Sequence, residues 1–206
     1  MSIPAPAPAD LVDALAAGFR ELEAELRLEQ AVHGLDVLDE VKLHTHLRWA
    51  LVRAGYGVHA EQRYPRDRIR RRRSEGERCD LVVTLDGAAL RHPDAAPSLF
   101  DPPNAVELQH AFWIEVKAAW QFIEGRPNAR YTAEMGDLPR RDVRKLVRDV
   151  DIRRRALLLV LFAADETTAE HDLAQWERIA LARGIDLGPP CRRNVELLDR
   201  IGHRVC

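Results

Sequence analysis

The chain has 206 residues, of which 46% are hydrophobic and 31% charged, with a net charge of −2. This balance is typical of one soluble globular domain, and no apolar run approaches the ~20 residues of a membrane-spanning helix. Three dispersed cysteines, Cys79, Cys191 and Cys206, indicate neither a disulfide framework nor a Cys-based zinc site. The N-terminus lacks the features of a secretory signal, so we expect a cytoplasmic protein with no membrane partner.

The first 64 residues predict two helices and a strand. Residues 1–35 predict an N-terminal helix extension, with Asp10 as its N-cap and leucines at helical spacing. A second helix is predicted over residues 36–54, where Gly55 stops it. Residues 56–64 predict a short strand that leads into an Arg-rich segment.

The remaining elements predict a mixed sheet. Residues 79–85 and 111–118 predict buried strands on either side of a Pro-rich loop, 91–104. A helix is predicted over 138–151, with apolar residues at Leu138, Val143, Leu146, Val147 and Val150. The apolar run 156–164 predicts a central strand covered on both faces.

The C-terminal part, residues 165–206, predicts a helix over 167–183 that ends at Gly184, and an edge strand near Val195. The order of elements predicts a single α/β domain of residues 1–206, with a mixed central sheet flanked by helices. The core of that domain is expected over about residues 36–164.

Two segments are strongly basic although the whole chain is not. Between Arg63 and Arg78 there are eight arginines and three acidic residues, and between Arg140 and Arg155 eight basic and three acidic residues. Such segments can neutralise nucleic-acid phosphates, but a charge run by itself is usually a solvated surface.

Ionisable residues interrupt the apolar segments at three places. Glu115 and Lys117 share one face of the strand WIEVKA, and Asp80 opens the strand CDLVVTL. Ionised groups in buried strands are costly unless they are paired or bind a metal. Glu40 continues the leucine stripe of the second helix, although a first-turn glutamate can also simply favour the helix N-terminus. Asp86, which follows the same strand, is an alternative to Asp80 as the functional aspartate.

These residues resemble the motif of the PD-(D/E)xK nuclease superfamily, the restriction-endonuclease-like proteins. The matching pieces are Glu40 in DEVKLHTHL, Asp80 in RCDLVV, and Glu115 with Lys117 in WIEVKAA, followed by a helix and a strand. The resemblance covers about residues 36–164. Two features depart from the family pattern: Cys79 stands where the family has proline, and a long insert separates Asp80 from Glu115.

The resemblance implies a Mg²⁺-dependent nuclease acting on DNA, with Mn²⁺ able to substitute and RNA not excluded. Asp80 and Glu115 would bind the metal with the Val116 carbonyl, and Lys117 would position or activate the attacking water. Glu40 would serve the same metal, a second metal or a coordinated water. Restriction-enzyme relatives also imply a homodimer, and a role in restriction, defence or repair.

Further residues are candidates for nucleic-acid contact: Arg70, Arg71, Arg72, Arg73, Gln121 and Lys145. Gln121 also suits a polar strand end, and Lys145 a solvated helix face. Two other interpretations remain open for the whole chain. One is a catalytically silent relative that binds nucleic acid or protein, and the other is an α/β protein in which Glu115 and Lys117 form only a buried ion pair.

Overall fold

The computed structural model describes residues 5–66, 77–91 and 102–197, with the side chain of Leu138 excepted. This part of the chain forms a mixed α/β domain in which helices flank a four-stranded sheet. None of its helices combines the length and apolar character that a membrane crossing requires.

The described elements alternate between helices and strands along the chain. The α-helices are α1 (Pro8–Leu28), α2 (Glu40–Arg53), α3 (Tyr131–Met135), α4 (Asp137–Arg148) and α5 (Glu166–Ala182). The strands of the main sheet are β1 (Gly57–Arg63), β2 (Arg78–Thr84), β5 (Phe112–Trp120) and β8 (Arg154–Phe162). Short strands pair outside that sheet: β3 (Leu90–Arg91) with β4 (Val106–Glu107), and β6 (Phe122–Ile123) with β7 (Arg126–Pro127). Single 3₁₀ turns occupy Leu35–Val37 and Leu108–His110.

The main sheet has the order β1-β2-β5-β8. β2 is antiparallel to both of its neighbours, and β8 runs parallel to β5. A parallel pair needs a crossover connection, which α3 and α4 supply here. In the registers, Leu81 lies opposite Ile114, and Glu115 lies opposite Leu157.

The two faces of the sheet carry different cores. On one face, α1 and α2 pack their leucines, including the fully buried Leu43 and Leu47, against Ile114 and Val116 of β5. On the other face, Leu146 of α4 belongs to the same core as Trp113. Because side chains alternate along β5, Glu115 and Lys117 share the α4 face with Trp113.

The two N-terminal helices begin for different local reasons. Asp10 is not the N-cap of α1: the helix starts earlier, with Pro8 in its first turn, a position where a missing N–H costs nothing. The second helix begins at Glu40 and not near residue 36, because the Asp39 carboxylate accepts a hydrogen bond from Lys42 N at 2.8 Å. The predicted end before Gly55 is confirmed, with α2 ending at Arg53.

The strand predicted over 156–164 is present as β8, but the prediction that it is central is wrong. β8 is the end strand of the described sheet, and most of its side chains are only partly buried. Leu158 and Val160 pack against the α1–α2 core, but a continuous apolar run does not tell a central strand from an end strand that has one well-covered face.

Other C-terminal predictions also differ. The helix predicted to reach residue 151 ends at Arg148, and Val147 is half exposed and Val150 two-thirds exposed. Residues 191–197 near Val195 form no strand.

Most of the Pro-rich segment, residues 92–101, lies outside the described residues. The helix over 167–183 is confirmed as α5, which Asp165 caps through Thr168 N.

Candidate active site

Lys117 is held between carboxylates from two different helices. Its Nζ lies 3.5 Å from Glu40 Oε1, at the start of α2, and 3.4 Å from Asp142 Oδ2 on α4. Partial burial opposes the positive charge, but Asp142 and Glu40 outweigh it and raise the pKa of the Lys117 ammonium above its usual value. The amine is therefore a fixed cation at neutral pH.

Asp80 lies beside the same stretch of β5. Its Oδ2 accepts a hydrogen bond from Val116 N at 2.7 Å, just beyond the last β2–β5 pair, Leu81 with Ile114. The N–H and C=O of one strand residue point to the same side, so the Val116 carbonyl points to the β2 side of β5, as its N–H does.

Asp86 is excluded as a member of this cluster. It lies in an exposed turn after β2, where its φ is +51°. From Asp80 to its end at Thr84, β2 spans about 13 Å, and Asp86 lies two residues beyond that end. The structure thus brings Glu40, Asp80, Glu115 and Lys117 together and leaves Asp86 at the other end of β2.

Glu115 is almost completely buried, at 1% exposure. The Tyr64 hydroxyl donates a hydrogen bond to Oε1, and Lys145 Nζ lies 4.0 Å from Oε2. Burial raises the pKa of Glu115 to about 8; the Tyr64 hydrogen bond opposes this rise, and the nearby Asp80 charge adds to it. Tyr64 is itself positioned by stacking on Trp113, with ring centroids 5.7 Å apart.

Sequence reasoning missed two residues of this cluster, Asp142 and Tyr64. Asp142 is 3% exposed, and its Oδ1 lies 2.5 Å from Lys145 Nζ, so one carboxylate bridges Lys145 and Lys117. The i, i+3 spacing of Asp142 and Lys145 on a helix was the available signal. Tyr64 offered none, because only the tertiary structure carries it to Glu115, 51 residues away.

The other predicted nucleic-acid contacts have different positions. Lys145 lies in the cluster, whereas the Gln121 side-chain oxygen accepts a hydrogen bond from Ala164 N at 2.7 Å and joins the end of β5 to the end of β8. Contact of either residue with nucleic acid stays a prediction. Arg70, Arg71, Arg72 and Arg73 lie outside the described residues.

The oxygen donors of the cluster suit a hard cation. Within the described ranges, no three acidic, histidine or cysteine side chains converge on one cation position. Asp80, Glu115 and the Val116 carbonyl are the oxygen donors that would hold Mg²⁺, because Mg²⁺ is commonly held by one or two carboxylates and keeps several waters. The donor chemistry therefore fits the cation, and the Lys145 ammonium is the group that now faces Glu115.

Comparison with known proteins assigns the chain to no family. No protein-family model matches it, and neither a curated protein nor a solved structure matches at a significant level. The argument for function therefore depends on the residues of the cluster and their geometry.

The raised pKa of Glu115 predicts a pH-dependent stability for the metal-free protein. The folded state binds this proton more tightly than the unfolded chain, so the stabilisation is complete below the ordinary pKa of 4.5 and disappears as pH rises to about 8. In EDTA, between pH 5 and pH 8, we expect the wild type to lose about 2–4 kcal/mol of unfolding free energy relative to Glu115→Gln, since one pKa unit corresponds to about 1.4 kcal/mol.

Urea unfolding at several pH values measures this difference. Glu115→Gln is the matched control because it preserves the acceptor for Tyr64 but has no proton to lose. His59, whose pKa burial lowers, is present in both proteins, so its contribution cancels in the comparison. Parallel pH profiles for the two proteins would contradict the prediction.

The bridge made by Asp142 predicts a second effect on stability. Asp142→Asn leaves the ammonium groups of Lys117 and Lys145 without their shared carboxylate, and we expect a loss of about 1–3 kcal/mol of unfolding free energy at pH 7. Asp137→Asn is the control on the same helix, because Asp137 is 79% exposed and its pairing with Arg140 is screened by solvent, so its replacement should destabilise the protein less. Equal losses in the two variants would show that the bridge does not stabilise the fold.

Proposed function

We propose that this protein is a divalent-metal-dependent nuclease of the PD-(D/E)xK class, with a restriction-endonuclease-like core, and that it hydrolyses phosphodiester bonds of DNA. The observation that carries the proposal is the convergence on Lys117. Glu40 of α2 lies 3.5 Å from its amine, Glu115 shares its strand face, and Asp80 is hydrogen-bonded to the intervening Val116.

The element order supports the same class. A helix with Glu40 precedes the strand of Asp80 and the strand of Glu115 and Lys117, and a helix and a parallel strand follow. This is the order of elements that the sequence motif implied, and the fold brings the motif residues of these elements close together. The support for the class comes from the motif and its geometry.

Each residue has a chemical task in this proposal. Asp80, Glu115 and the Val116 carbonyl would hold Mg²⁺ or Mn²⁺, with Glu40 as a further acidic group at the exposed side. When bound, the cation would lower the pKa of a coordinated water and neutralise negative charge on the phosphate. Lys117, kept protonated by Asp142 and Glu40, would orient the attacking water or stabilise the negative charge that develops on the phosphate.

A second candidate is a catalytically silent member of the same class that binds nucleic acid or protein. It is favoured by the burial of Glu115, whose two oxygens face Tyr64 and Lys145. The nuclease remains the leading candidate because Glu40, Lys117 and Asp80 are reachable from solvent: the side chains of Glu40 and Lys117 are 56% and 23% exposed, and Asp80 is half-buried.

The test is incubation of the purified protein with circular and linear plasmid DNA in Mg²⁺, Mn²⁺ or EDTA. We expect cutting with either metal and none in EDTA, and nicking of circles if the enzyme is an endonuclease. A protein that binds the metal but cuts neither DNA nor RNA would favour the silent candidate. The possible homodimer can be checked by light scattering of the same sample.

A further inference from the structure

A small open cleft of about 30 Å³ lies near Glu115, between the end of β1 and the last turns of α4. Six side chains line it: Tyr64, Arg66, Glu77, Lys145, Arg148 and Asp149. Tyr64 and Lys145 are the residues that also face the Glu115 carboxylate, so the cleft and the candidate active site share a wall. Three of the lining residues are cationic and two are acidic.

The two acidic residues of the cleft are not equivalent. Asp149 is buried, and its oxygens accept hydrogen bonds from the backbone N–H groups of Arg66 and Asp151, both at 3.0 Å. That carboxylate is committed to fixing the backbone at Arg66. Glu77 is exposed, and its carboxylate pairs with the Arg148 guanidinium across the cleft. Glu77 is therefore the acidic group that an incoming anion can replace.

We propose that this cleft binds a backbone phosphate of DNA next to the phosphate that lies at Lys117. The Glu77 carboxylate stays paired with the Arg148 guanidinium until the phosphate displaces it. Lys145 and Arg148 are three residues apart on α4 and so present their charges on the same side. An arginine can hold a phosphate through two parallel hydrogen bonds, and an exposed Arg–Glu pair is weak enough to exchange.

The sequence around the cleft is consistent with a phosphate ligand. Arg66 and Glu77 are the residues that immediately flank segment 67–76, which contains five more arginines. Because the inference rests on the proposed nuclease, its test must separate DNA binding from DNA cutting.

Fluorescence anisotropy with a fluorescein-labelled 16-bp duplex in EDTA measures binding without cleavage. We expect Arg148→Ala to weaken binding roughly five-fold. The slope of log K against log[salt] should become shallower by about 0.9, the value of one phosphate contact. Glu77→Gln should tighten binding about two-fold, because it releases Arg148. The double variant should bind like Arg148→Ala alone.

Arg53 and Glu21 form the matched control pair. They make an exposed ion pair of 2.9 Å at the far end of α2, about 20 Å along the helix from Glu40. The inference is overturned if Arg148→Ala and Glu77→Gln behave like Arg53→Ala and Glu21→Gln, or if an RNA duplex of the same sequence competes better than DNA. If the protein cuts DNA but its DNA binding does not depend on Arg148, this inference is refuted and the proposed nuclease is not. Arg148-dependent binding by a protein that never cuts would support it and refute the nuclease.

Discussion

Replacement of Lys117 by alanine is expected to reduce metal-dependent DNA cleavage by about 10²- to 10⁴-fold, the usual contribution of one group that assists proton transfer or stabilises developing charge. The amine is the only group within reach of both Glu40 and Asp142 among the described ion pairs, at 3.5 and 3.4 Å. Its removal leaves the carboxylates that would bind the metal in place.

The measurement is the initial rate of plasmid cleavage at saturating Mg²⁺, with metal binding followed separately. Lys42→Ala is the matched control, because Lys42 is also a lysine paired with a carboxylate, Asp39, but its side chain is 67% exposed and outside the cluster. Lys42→Ala should cut like the wild type. Full activity in a folded Lys117→Ala protein would remove Lys117 from the chemistry and leave the motif without its central residue.

Replacement of Leu47 by alanine is expected to lower the unfolding free energy by about 2–5 kcal/mol, the range for truncating a fully buried leucine. Leu47 is completely buried in the core that joins α1 and α2 to the sheet. The loss combines a smaller apolar area removed from water with the cavity left between helix and sheet. Because α2 also carries Glu40, the same variant should weaken the position of that carboxylate beside Lys117.

Urea denaturation of Leu47→Ala and Val41→Ala separates the packing effect from a general effect of substitution in α2. Val41 lies on the same helix but is 77% exposed, so its truncation should change stability by less than about 0.5 kcal/mol. Similar losses for the two variants would show that α2 does not pack as described.

The site shows what kind of residue can be found from sequence. Glu115 and Lys117 are visible because a carboxylate and an amine two residues apart interrupt a strand fit for burial, and strand periodicity places them on one face. Asp80 and Glu40 are visible for the same reason, as charges at the ends of apolar patterns. Asp142 offers only its i, i+3 spacing from Lys145, in a helix already rich in charge. Tyr64 offers no signal, because it reaches Glu115 only through folding.

The sequence by itself determined the mixed α/β class, the amphipathic faces of α1 and α2 and the strands that carry Asp80, Glu115 and Lys117, because local periodicity and breakers decide these features. Only the tertiary structure decided that Asp80 and not Asp86 joins the cluster, since strand register is a pairing between distant segments. It also decided that β8 ends the described sheet and that Asp142 bridges two lysines. Long-range packing, which brings α4 over β5, has no signature in the local order of residues.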